Sequence, residues 1–271
     1  MKCTREVTAF IGIPLALGAI VFLPAWVFLT LIWAIALLAA HELLAMLRQR
    51  GDTVPLLPTL VALGVALPAL WIGRLPASGV ILAALILLLP LVVLLGGHPI
   101  PGVAAAITGS VFTASYFAVT AGFMGLLRLA FDAPTGVRLV ITHCLVVWGG
   151  DSAAYYLGSL FGRHKMAPRV SPKKSWEGQI GGTLGTIFGV WFCSTVFFPG
   201  LGLRAAIGLV IIEAVLAPLG DLIESLFKRD CGVKDSATVI PGHGGFLDRT
   251  DSLFFAAPFV AAFFLIVGVA W

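Results

Sequence analysis

The chain has 271 residues, of which 59% are hydrophobic and only 11% charged, with 17 Lys and Arg against 13 Asp and Glu. A soluble domain carries about 25% charged residues, so this composition excludes a water-soluble surface, and a mean hydropathy of +1.05 marks an all-α polytopic membrane protein. The net charge of +4 fits cytoplasmic flanks that touch anionic lipid better than a nucleic-acid partner, and none is expected.

About 20 apolar residues span a bilayer as a helix. In chain order, such segments fall at about 8–23, 25–46, 55–73, 77–97, 103–128, 137–161, 178–198, 203–226 and 252–270. Lys2 and Arg5 precede the first; no small-residue cleavage site follows, so it reads as an uncleaved helix. Pro24, Gly51-Asp52, Pro76, His98 to Gly102, Asp132 to Pro134 and Pro199-Gly200 separate the segments. With about nine spans, 13 of the 17 Lys and Arg residues fall on one side. The positive-inside rule makes that side cytoplasmic, with the N-terminus in and the C-terminus out. Cys3, Cys144, Cys193 and Cys231 have no metal-ligand or disulfide spacing.

Residues 1–130 read as transmembrane scaffold. Glu42, close to the end of the second segment, is expected to snorkel to the interface. Residues 131–271 carry nearly all of the unusual charges and read as the catalytic region. Asp151 lies about ten residues inside the sixth segment, where an ionisable group is costly and therefore a functional candidate. Gly178, Gly181, Gly182, Gly185 and Gly189 have the spacing of close helix packing. The stretch from Arg163 to Lys174 holds five Lys or Arg and no acid. It reads as a lipid-facing flank, with Lys173, Lys174 and Ser175 as candidate contacts to a polyphosphate.

On the eighth segment, Glu213, Asp221, Glu224 and Lys228 fall within about 80° of one another around the helix, and Glu213 lies about 12 Å deeper than Asp221. Pro218 and Gly220 are expected to bend this helix and free backbone carbonyls. The polar island from Ser225 to Asp251 follows. If a helix starts near Asp248, Asp248 and Asp251 share a face at i, i+3. Asp221, Asp248 and Asp251 can then converge from two helix ends, and hard divalent cations take such oxygen ligands. Lys228, Arg229, Lys234, His243 and Arg249 add positive charge and donors. Gly244 and Gly245 lack a Cβ and so admit a phosphate close to backbone amides.

The run S-x-F-K-R, four residues, K-D-x-A, then I-P-x-H-G-G-F-x-D-R-T-D resembles the signature of the phosphatidate cytidylyltransferases. The upstream DSAAYYLGSLFGRHK and SPKKSWEG blocks resemble the same family, and the likeness covers about residues 142–255. The resemblance implies a Mg²⁺-dependent nucleotidyltransferase of phospholipid biosynthesis that converts CTP and phosphatidate to CDP-diacylglycerol and pyrophosphate. It implies an integral protein of the cell (inner) membrane with its site at the cytoplasmic face, and often a homodimer. It also implies a metal centre at Asp221, Asp248 and Asp251 with a second cation such as K⁺. The candidate catalytic residues are Asp221, Lys228, Arg229, His243, Asp248, Arg249 and Asp251, and the candidate substrate contacts are Lys173, Lys174, Ser175, Lys234, Gly244 and Gly245. A second reading, a cation-coupled transporter, would route ions past Asp151, Glu213 and the Pro-Gly break.

Overall fold

The structure, a computed structural model, describes residues 2–239 and 244–268, with side chains from residue 12 onward. Eight helices follow in order: α1 (Lys2–Phe22), α2 (Ala25–Arg50), α3 (Leu56–Leu95), α4 (Val103–Leu129), α5 (Ala133–Phe161), α6 (Trp176–Val196), α7 (Leu203–Asp230) and α8 (Leu247–Val267). Among the described residues α2, α3, α4, α7 and α8 are long and apolar enough to cross a membrane. Many large apolar side chains face outward, Ile72 (84% exposed), Leu95 and Ile207 among them. On a membrane protein this surface meets lipid tails.

The all-α expectation needs one amendment. Between α5 and α6 the chain forms an antiparallel hairpin, β1 (Lys165–Ala167) and β2 (Ser171–Ser175), with Lys165 opposite Ser175. The basic residues that look like a loose flank in the sequence are thus held on a small sheet. Ser175 ends it and caps α6, its hydroxyl accepting from the Gly178 amide at 3.2 Å.

Helix α3 has 40 residues. Straight, it would measure about 60 Å, twice the bilayer's hydrocarbon thickness of about 30 Å. It is broken at Arg74, whose φ of 58° and ψ of −159° are not helical. The residues flanking α3 meet again, since a Cβ on Gly102 would stand 3.8 Å from Thr53 Oγ1. The two halves therefore run back on each other, and the break falls between the expected segments 55–73 and 77–97. A non-glycine residue at positive φ is strained, and here the Arg74 guanidinium is held by the carbonyl of Leu129 at the end of α4.

Helix α4 is central. Ala114, Phe117, Ala121 and Leu127 are fully buried on it, and α2, α3, α5 and α8 pack around it. The closest helix pairing is α5 with α6, through glycines. A Cβ on Gly158 would lie 3.2 Å from the Gly178 Cα, and one on Gly185 would lie 3.0 Å from the Gly149 carbonyl. The small-residue spacing is therefore a packing device, as its period suggests.

At one end of the bundle, Arg50 pairs with Asp52 at 2.5 Å and with Asp230. There Arg229 Nε also donates to the Val170 carbonyl of the hairpin at 3.1 Å. The active-site candidates gather at this end.

Candidate active site

A cavity of about 720 Å³ opens between α5, α6, α7, α8 and the hairpin. Pro218 helps to shape it. Proline has no N–H, so the Ala214 carbonyl four residues earlier loses its helical partner. Gln179 from α6 supplies the replacement, its Nε2 donating at 2.8 Å. Lys174 reaches from the hairpin to the Pro218 carbonyl at 3.1 Å and pairs with Asp221 Oδ2 at 2.9 Å. The expected freeing of a carbonyl by Pro218 is present at Ala214, and Gln179 of the cavity wall uses it.

Three carboxylates converge where α7 meets α8, Asp221 and Asp251 lining the cavity and Glu224 buried beside them. Asp221 and Glu224 from α7 and Asp251 from α8 each offer an oxygen, all within 4.8 Å of one another. Glu224 is 2% exposed, and its Oε1 is buried with no hydrogen-bond partner. A buried carboxylate oxygen without a donor is costly. Beside two further acids it suits a hard cation, and the donor set fits Mg²⁺, which is bound through carboxylates, waters and substrate phosphates.

Asp248 also lines the cavity and neighbours Glu224, the two sharing Lys228. Its Oδ1 takes Lys228 Nζ at 2.6 Å. Its Oδ2 takes the Ser236 amide at 2.9 Å, the Ser236 hydroxyl at 2.8 Å and the Gly245 amide at 2.8 Å. Lys228, 8% exposed, also pairs with Glu224 Oε2 at 2.6 Å. The sequence brings Asp248 and Asp251 to one helix face; Asp248 is engaged by Lys228, Ser236 and Gly245, and Glu224 clusters with Asp221 and Asp251.

The other candidates divide in the same way. Lys173, Lys174, Ser175, Arg249 and Asp151 line the cavity. Arg229 is not among the lining residues; its guanidinium donates to the Val170 and Val233 carbonyls. Lys234 is exposed and also away from the lining. The Gly245 amide is used by Asp248, and Gly244 adopts φ +78°. His243 lies outside the described residues. Glu42 departs from expectation: it does not snorkel but is 5% exposed, accepting from the Phe246 and Leu247 amides at 2.9 Å each.

Comparison with known proteins decides the family. Residues 3–267 match the model of the family described as "Cytidylyltransferase family". The chain belongs to the cytidylyltransferase family. A phosphatidate cytidylyltransferase of Pseudomonas aeruginosa is 35% identical over 267 residues, covering 95% of each chain. One of Synechocystis is 30% identical over 302 aligned residues, covering 98% of each. One of Haemophilus influenzae is 44% identical over 153 residues, covering 53% of each.

Some residues of the site escape sequence reasoning. Glu224 lies on the polar stripe of α7, but nothing in its spacing separates it from the other acids as a cluster member. Asp235 lines the cavity from the loop after α7. His143, fully buried on α5, places Nδ1 2.5 Å from Glu213 Oε1 and Nε2 3.0 Å from the Leu253 carbonyl. Glu213, the deep acid of the suspected ion path, is thereby tied to α5. A single His in an apolar helix gives no sequence signal of this pairing.

Proposed function

We propose that this protein transfers CMP from CTP to phosphatidate, forming CDP-diacylglycerol and releasing pyrophosphate. The observation that carries the reading is a carboxylate trio of which Asp221 and Asp251 face lysine and arginine across one cavity, in a chain of the cytidylyltransferase family. A phosphatidate oxygen attacks the α-phosphorus of CTP, and the bond to the β-phosphate bridging oxygen breaks. No base is required, because a phosphomonoester is already largely dianionic near pH 7. The task left to the protein is to align two anions and neutralise their charge.

Asp221, Glu224 and Asp251 would hold the Mg²⁺. That ion, when bound, supplies charge neutralisation at the triphosphate. Lys173, Lys174 and Arg249 contact the phosphates; Lys174 exchanges its Asp221 pairing for a phosphate oxygen, and the arginine can grip two oxygens at once. Lys228 balances Glu224 and Asp248 and keeps both in place. Arg229 positions the hairpin that carries the lysines.

The topology follows from the substrates. CTP arrives in water, whereas phosphatidate stays in the bilayer. We therefore assign the cavity end to the cytoplasmic face of the cell membrane. Nine spans, with α3 contributing two and the N-terminus inside, put the hairpin and the start of α8 at that face, in keeping with the bias of basic residues.

The test uses purified protein in detergent with phosphatidate and base-labelled CTP, with Mg²⁺ supplied or chelated. Label entering the organic phase only with Mg²⁺ is the expected result. No transfer by folded, lipid-supplemented protein would overturn the reading.

A further inference from the structure

Glu42 belongs to α2, in the half of the chain that otherwise serves as scaffold, yet it is the start of a chain of contacts that ends in the carboxylate trio. Glu42 Oε2 takes the Ser236 hydroxyl at 2.7 Å. The same hydroxyl lies 2.8 Å from Asp248 Oδ2. Asp248 Oδ1 meets Lys228 Nζ at 2.6 Å, and Lys228 Nζ meets Glu224 Oε2 at 2.6 Å. Glu42 also fills the N-terminus of α8, taking the Phe246 amide on Oε1 and the Leu247 amide on Oε2. Those amides would otherwise be free, since a helix leaves its first N–H groups unpaired. A carboxylate there also complements the helix dipole.

Two features show that the space is built around this carboxylate. Gly245 has no Cβ, and one placed there would collide with Glu42 Oε2 and Ser236 Oγ. The Ser236 hydroxyl has one proton and two carboxylate neighbours, so it serves one at a time. Whichever carboxylate takes that proton, the Ser236 amide keeps the residue on Asp248 Oδ2.

We propose that Glu42 is a positioning residue for the transfer reaction. It fixes the first turn of α8 and, through Ser236, Asp248 and Lys228, the placement of Glu224 in the cation site. Glu42 is not among the residues that line the cavity. The role rests on the cytidylyltransferase reading above, but its physical half, the pinning of α8 and the preceding loop, does not.

Glu42→Gln is the informative change. The amide keeps the volume but offers one acceptor oxygen where two serve three donors, so at least one α8 amide faces an N–H instead. Residues that orient metal ligands typically cost 10–100-fold in activity or metal affinity when altered. The expected result is a fall in kcat of at least about tenfold, with KM for phosphatidate changed less than about twofold and a Mg²⁺ requirement raised several-fold. Hydrogen exchange at the 236–239 and 244–248 amides should speed up while α4 and α5 amides stay protected. Gly245→Ala, whose methyl displaces Glu42, should give the same pattern. If Glu42→Gln is too unstable to purify, Ser236→Ala tests the same link and should raise the Mg²⁺ requirement.

Wild-type kinetics and exchange in Glu42→Gln would overturn the proposal. So would a loss of activity that merely follows the folded fraction, with the Mg²⁺ requirement unchanged. A wild-type protein that transfers no label sinks the parent reading instead, and the exchange measurement still decides whether Glu42 pins α8.

Discussion

The two walls of the cavity are assembled differently. Where α6 crosses α5, backbones approach because side chains are missing: a Cβ on Gly182 would stand 3.1 Å from that of Ala154 and 3.3 Å from the Gly150 carbonyl. Where α8 meets α7, Asp221, Glu224, Lys228, Asp248 and Asp251 lie against one another. Only Gly220 brings backbones together there, with a would-be Cβ 2.7 Å from the Asp251 carbonyl. The first wall depends mainly on shape, with Asp151 the acid it brings to the cavity. The second gathers acids that repel one another unless cations balance them. A substitution should therefore damage the α5–α6 wall through stability, and the α7–α8 wall through chemistry.

The sharpest way to separate the walls is to remove one charge of the trio. Asp251→Asn should lower transfer on the order of 1000-fold, because a metal's charge stabilisation is worth several kcal/mol and each 1.4 kcal/mol is tenfold. Thermal unfolding in detergent should change little. A variant that transfers CMP at the wild-type rate would remove Asp251 from the site.

Lys228→Met probes the balance of charge on the same wall. Breaking a buried ion pair by removing one partner costs about 3–5 kcal/mol, and here Glu224 and Asp248 both lose their cation. A clear drop in unfolding temperature should accompany loss of activity. Unchanged stability would mean that water or another cation takes the place of the ammonium.

The glycine wall should respond less and differently. Gly182→Leu has no room at the crossing and should cost about 1–3 kcal/mol through overpacking. Transfer by the fraction that remains folded should persist. A selective loss of kcat at full stability would show that the α5–α6 wall also does chemistry.

These cases also show how much of the molecule was legible in the sequence. The glycine wall was, because a small-residue period implies one packing geometry. The break of α3 was also legible at Pro76, as two apolar runs totalling 40 residues exceed one bilayer. The acids of α7 and α8 could be put on facing helix ends, but not paired. Spacing places Asp248 and Asp251 on one face without saying that Asp248 meets Lys228, Ser236 and Gly245 while Asp251 turns to Asp221 and Glu224. Glu42 was misread for a related reason. Its local sequence suggests a helix end in lipid, and only the arrival of α8, more than 200 residues later, buries it. The hairpin was hidden because its basic composition matches that of an unstructured flank.

The smallest effect is expected where the hairpin joins α6, just before the apolar stretch of that helix. The His164 side chain lies 2.5 Å from Glu177, and the Arg163 and His164 amides add donors. Together, the His164 hydrogen bond first, they hold the Glu177 carboxyl down to about 2, from an ordinary 4.5. A depressed carboxylate stabilises the folded form above its ordinary value, and that contribution is lost as pH falls from about 4.5 toward about 2. Exchange of the hairpin amides, corrected for intrinsic rates, should rise over that range in the wild type. In Glu177→Gln it should already be raised at neutral pH and show no such step. A step of equal size in the variant would assign the transition to another group.

The central proposal is that Asp221, Glu224 and Asp251 hold the cation while Asp248 holds Lys228 beside it. It is tested most directly by Mn²⁺ binding, read from the free-ion spin resonance signal, with CTP present and phosphatidate withheld. Glu224→Gln should weaken binding by about tenfold or more, whereas Asp248→Asn, through its positioning of Lys228, should weaken it only a few-fold. Wild-type affinity in Glu224→Gln together with lost binding in Asp248→Asn would contradict the account and move the cation to Asp248.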